Sequence, residues 1–151
     1  MRASLARRLA AMFYDGLLLV AILMIATALL LPFTGGAAIT AADHPWLASA
    51  YRLLLAGLVA LFFGTFWTRS GQTLGMASWR LRVEREDGTL LTWGDATKRL
   101  AAAVLSLLPI GLGFVWILFD REGRAWHDRL SRTRVVLLPK RVSGRDSASR
   151  A

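Results

Sequence analysis

The chain contains no cysteine. That excludes disulfide staples, thiolate metal sites and cysteine nucleophiles together. Histidine is scarce: His44 and His127 are the only two, and they lie too far apart to build a zinc site alone. Acid is scarce as well, with ten Asp and Glu against nineteen Lys and Arg and a net charge of +9. No aromatic-basic platform or recognition motif accompanies that positive charge, which argues against nucleic acid as a partner. The most telling absence is local. From Leu9 to Phe33 the only ionisable groups are Tyr14 and Asp15.

Hydrophobic residues make up 55% of the chain. A helix over Leu9–Phe33 would be roughly 36 Å long, enough for a bilayer core of about 30 Å. A helix buried in a soluble domain rarely stays apolar on every face for so long. The run is also too long for a signal-peptide core of about 7–15 residues, and it carries Asp15. It reads as an uncleaved membrane span with a carboxylate inside, a costly arrangement usually kept for function or for specific pairing.

The basic start, Met1 to Arg8, places the N-terminus in the cytoplasm. Pro32-Phe33 ends the first span and Thr34-Gly35-Gly36 breaks it. The following loop to Pro45 has no Lys or Arg and is expected to face outward. A second apolar run covers Trp46–Thr68, with Arg52 snorkelling from its outer end and Arg69 marking the return to cytoplasm. Alternating residues from Leu81 to Glu86, then Asp87-Gly88, then Thr89–Trp93 predict a cytoplasmic β-hairpin. Thr133–Leu138 is rich in β-branched residues and could add a third strand. Asp95 is a candidate N-cap for a helix starting near Ala96.

The third apolar run, Leu100–Phe119, is interrupted by Pro109, Gly111 and Gly113. A simple span would carry the nine basic residues from Arg121 to Arg150 outside, against the positive-inside rule. Two half-helices turning back at Pro109 avoid this, provided that the bend is buried in protein. The expected fold is therefore an all-α membrane protein with two full transmembrane helices, a re-entrant helical hairpin and a small cytoplasmic β-hairpin. A kinked third span is the alternative to the re-entrant segment. Residues 1–140 form the membrane domain, and 141–151 read as a disordered basic tail.

Arg8 with Asp15, then Gly71-Gln72-Thr73-Leu74-Gly75, then Arg99, then His127-Asp128-Arg129-Leu130 with Thr133 and Val135-Val136, occur in this order and spacing. Together they resemble the RDD family of small bacterial membrane proteins. The resemblance covers Arg7 to about Leu138 and implies a multi-pass protein of the bacterial inner membrane. The family takes its name from one arginine and two aspartates, which map here to Arg8, Asp15 and Asp128, with Asp120 a rival for the last. Met76-Ala77-Ser78 departs from the basic residues often found after the glycine-rich stretch. Transport has been suggested for the family, including cation/proton exchange for some members.

The residues themselves support no enzyme. Gly71–Gly75 lacks the spacing and lysine of a P-loop, so a tight turn outweighs an anion-binding nest. His127 beside Asp128 invites a general-base reading, but neighbours on a helix point in different directions and no nucleophile accompanies them. No metal or cofactor is expected. The expected partners are the bilayer, with anionic lipids at the cytoplasmic face, and a further copy or another membrane protein. Two function classes remain: a transporter in which Asp15 is the coupled carboxylate, and a scaffold in which buried charges lock helices together. The polar cluster expected for either is Arg8, Asp15, Gln72, Thr73, Arg99, Asp120, His127 and Asp128, with Asp15 meeting Arg99.

Overall fold

The computed structural model describes residues 4–36, 39–40, 42, 44–107, 116 and 125–139. Helix α1 runs Leu5–Leu30 and continues into a 3₁₀ turn, Leu31–Thr34. Gly35 and Gly36 then take φ of 61° and 81°, conformations open to glycine, and end the helix. Helix α2, Pro45–Arg69, returns antiparallel, tied to α1 by the Tyr51 and Thr27 hydroxyls at 2.7 Å. Both helices are long and apolar enough to cross a membrane. None of the most apolar stretch of α1 is buried, so it is not the core helix of a soluble fold. Leu17, Val20, Met24, Ile25 and Leu29 stand exposed along it, as lipid contact requires.

The remaining elements gather at the basic end of α1 and the Arg69 end of α2. They are α3 (Leu74–Ser78), β1 (Leu81–Arg85), α4 (Trp93–Leu107), α5 (Trp126–Leu130) and β2 (Thr133–Leu137). Val83 packs with Trp67, Leu91 and Ala96, while Leu81 packs with Ala11. The sheet therefore seals the ends of α1, α2 and α4. Gly64 permits the α2–α4 approach, because a Cβ there would overlap the Trp93 ring. The fold is mostly helical with a two-stranded sheet, as the sequence implies.

Two local expectations need correction. β1 does not pair with Thr89–Trp93. It pairs antiparallel with β2, Leu81 opposite Leu137 and Arg85 opposite Thr133. Asp87-Gly88 does turn the chain, with Gly88 at φ 85° and the Arg85 N–H donating to the Thr89 carbonyl at 2.9 Å. Beyond it, however, Leu91 is drawn into the core beside Trp67, and Thr92 starts α4. Asp95 is not the N-cap of α4. Thr92 caps by accepting from the Asp95 N–H at 3.3 Å, and Asp95 reaches back to accept the Thr92 N–H at 2.9 Å. Arg85 then pairs with Asp95 at 2.6 Å, joining β1 to α4. The proposed turn at Pro109, Asp120 and the tail after Pro139 lie outside the described residues.

Candidate functional site

α1 turns three residues inward at helical spacing: Arg8, Ala11 and Asp15. Asp15 is 4% exposed. The glycine-rich stretch after α2 is built to receive it. Gly71, at φ 70°, turns the chain under α2, and its carbonyl accepts the Val83 N–H at 2.7 Å. Gln72 Nε2 donates to the Leu81 carbonyl at 2.6 Å and fixes the turn to β1. Thr73 caps α3, accepting from the Met76 N–H at 3.2 Å, and donates its own hydroxyl to Asp15 Oδ2. The Gly75 N–H donates to Asp15 Oδ1 at 2.8 Å. Gly75 has no side chain because none fits: a Cβ would overlap the Ala11 carbonyl oxygen and lie 2.9 Å from the Asp15 carboxylate. The stretch is thus a turn and a carboxylate receptor, not an anion nest.

The second carboxylate is Asp128 on α5, fully buried. Arg8 Nη1 reaches its Oδ2 at 2.6 Å and Arg99 Nη1 reaches its Oδ1 at 2.7 Å. Asp128 also accepts the Ala125 N–H at 3.1 Å, closing the first turn of α5. Arg99 further donates to the Thr133 hydroxyl, which bonds Ser131 at 2.8 Å, and it lies 5.3 Å from the centroid of the Trp67 ring. Burial disfavours the Asp128 anion, but the Arg99 and Arg8 charges outweigh it and hold the carboxyl well below the usual carboxylate range.

His127 Nε2 sits 3.5 Å from Asp128 Oδ1, a loose approach for an oriented base. Burial, then the Arg99 and Arg8 charges, push the imidazole down to about 3, with Asp128 opposing. It is neutral at physiological pH. The unfolded chain protonates this histidine as pH falls through about 6.5, and the folded chain does not until about 3. Stability is therefore lost on acidification across that window. The melting temperature in detergent should fall between pH 7 and 4.5, and His127→Gln should shrink that fall. An equal fall in the variant would show that the imidazole is not buried in its neutral form.

The RDD family profile matches residues 2–132. The chain belongs to the RDD family. No curated protein and no solved structure matches it. Three residues assigned to the family's name are each buried, but not as one cluster. Arg8 and Arg99 converge on Asp128, whereas Asp15 meets Thr73 and Gly75. The expected Asp15–Arg99 contact does not form, because Arg99 is already committed to Asp128 and Thr133. Gln72 supports the receptor turn without touching either carboxylate. Sequence reasoning missed Gly75 as a close-approach residue, and Ser131 and Thr133 as supports of Arg99. The β-branched run that marks β2 does carry Thr133, but nothing local announces its partner.

Proposed function

We propose that this RDD protein is a membrane transport component that exchanges a monovalent cation for a proton, with Asp15 as the coupled carboxylate. One observation carries the reading. Asp128 is compensated by two guanidinium groups, whereas Asp15 is held by two neutral donors, the Thr73 hydroxyl and the Gly75 N–H. An ionised Asp15 has no charge partner in that contact set, and a proton or a small cation would neutralise it. The Thr73 hydroxyl can turn from donor to acceptor, so the same geometry serves the protonated acid. The Arg8–Asp128–Arg99 group is then the fixed frame, and two spans are few for a pathway, so the unit works as a homo-oligomer or beside another membrane protein.

Flux in proteoliposomes tests this. The purified protein should carry pH-dependent cation flux, and Asp15→Asn should abolish it while leaving the detergent-solubilised protein folded. Flux unchanged in Asp15→Asn would refute the assignment. The second reading is a structural lock, favoured by the absence of room at Gly75, where α1 and α3 touch through backbone. In that case Asp15→Asn lowers stability and there is no flux to lose.

The same proposal places the protein in the bacterial inner membrane, both termini cytoplasmic, with anionic lipid headgroups at the basic face. Its support is that Arg99, near the start of the third apolar run, lies 2.7 Å from Asp128 beyond its end. A single outward crossing would put them about 30 Å apart. The natural chain has no cysteine, so one introduced at Arg150 gives an unambiguous label. Labelling from the cytoplasmic side only is expected; labelling from outside would overturn the topology and the re-entrant segment with it.

A further inference from the structure

The two ends of the fold repeat one another. A shift of 91 positions carries Arg8, Ala11 and Asp15 of α1 onto Arg99, Ala102 and Ser106 of α4. All six are buried. The sequences Arg7-Arg8-Leu9-Ala10-Ala11 and Lys98-Arg99-Leu100-Ala101-Ala102 match along this stretch. A shift of 52 positions carries α3 onto α5 and β1 onto β2, both five-residue helices leading to five-residue strands. In each copy the residue before the strand is an arginine in the left-handed region, Arg80 at φ 57° and Arg132 at φ 52°. In each, its N–H donates three residues back, to Ala77 and to Arg129. α3 packs on α1 as α5 packs on α4.

Each match alone is a common motif. The strand register is what makes them one relation. Val83 pairs with Val135, its own counterpart under the shift, and Leu81 with Leu137 has its image in Arg85 with Thr133. That is the pairing a two-fold axis between Val83 and Val135 requires. Arg8 and Arg99, counterparts in the two copies, meet at the same carboxylate.

We propose that the chain is a tandem duplication of one unit, an entry helix followed by a five-residue helix and a strand, closed on a local two-fold axis, and that α4 is the second unit's membrane-entry helix. The axis stands along the membrane normal, since both entry helices start from one side. The exposed Val104 and Leu105 of α4 then contact lipid acyl chains at the depth of their counterparts, the exposed Phe13 and Tyr14 of α1. The units differ in the length of chain that joins the entry helix to the five-residue helix. Asp15 and Thr73 are 58 residues apart, room for two full spans, whereas Ser106 and Ala125 are 19 apart. They differ also in chemistry: Ser106 holds the Asp15 position, so the duplicated pair carries one acid between two equivalent polar sites. Its hydroxyl turns back on the Ala102 carbonyl at 2.8 Å and needs no counter-charge.

Depth measurement decides it without reading flux, so its outcome is independent of the role of Asp15. Single cysteines at Phe13, Tyr14, Val104 and Leu105, each exposed, take a nitroxide label in proteoliposomes. Relative accessibility to oxygen and to a water-soluble nickel chelate gives depth. Labels at 104 and 105 should fall within one helical turn, about 5.4 Å, of those at 13 and 14 respectively. A larger difference, or water exposure at both α4 positions, would overturn the duplicated architecture. Should one label prevent folding, the other pair reads the same quantity.

Discussion

Asp128→Asn is expected to destabilise the protein by about 3–5 kcal/mol, the usual consequence of removing one partner from a buried ion pair. The cost is large because two guanidinium groups lose the same partner. Arg8 on α1 and Arg99 on α4 are both buried, and Asp128 holds them from α5 at 2.6 and 2.7 Å. An amide can accept from one of them but carries no charge to offset either. The first turn of α5 loses its carboxylate acceptor too, since Asp128 takes the Ala125 N–H. Unfolding in detergent with increasing denaturant measures this directly. A loss under 1 kcal/mol would mean that the three groups are solvated in the membrane-bound protein. Arg99→Lys should cost less but not nothing, because a lysine cannot span Asp128, Thr133 and the Trp67 face at once.

Gly75→Ala should be the next most damaging change, although helix propensity predicts the opposite. Alanine is favoured over glycine by about 1 kcal/mol within a helix. Here the added methyl would overlap the Ala11 carbonyl oxygen and crowd Asp15. Backbone of α1 or α3 must shift, at about 1–3 kcal/mol or more. The Gly75 N–H then withdraws from Asp15 Oδ1, adding a cost of about 1–3 kcal/mol for a buried acceptor left short. Overpacking outweighs propensity. Gly57→Ala is the control, because beyond the adjoining backbone of its own helix no atom comes within 4 Å of a Cβ there, and it should be neutral or slightly stabilising. Equal stability of both alanine variants would show that α3 does not seat on α1.

What could be read from the chain follows the range of the interactions. The two long apolar helices, the break at Pro32–Gly36 and the turn at Asp87-Gly88 rest on neighbours in sequence, and all are present. That Asp15 must face inward is legible too, since a lone carboxylate in an apolar run needs donors. Which donors is not, because Thr73 lies 58 residues away and reaches Asp15 only after α2 has returned. Arg99 attracted the wrong carboxylate for a related reason. Opposite charge says that it seeks an acid, but the choice between Asp15 and Asp128 depends on how α4 and α5 seat against α1. The hairpin misreading has the same root: the local turn is real, yet Val83 pairs with Val135 from 52 residues away, and Leu91 is packed into the core beside Trp67. Capping was nearly legible, with Thr92 and Asp95 at the spacing of a capping box and only their roles exchanged.

Asp15, unlike Asp128, is expected to gain and lose a proton in the membrane. Infrared difference spectroscopy of the reconstituted protein, between alkaline and acidic pH, measures it. The account predicts a protonated-carboxyl C=O band that appears on acidification, disappears in Asp15→Asn, and is suppressed when the transported cation is present in excess. A spectrum in which Asp15→Asn removes no such band, at any pH where the protein stays folded, would contradict it.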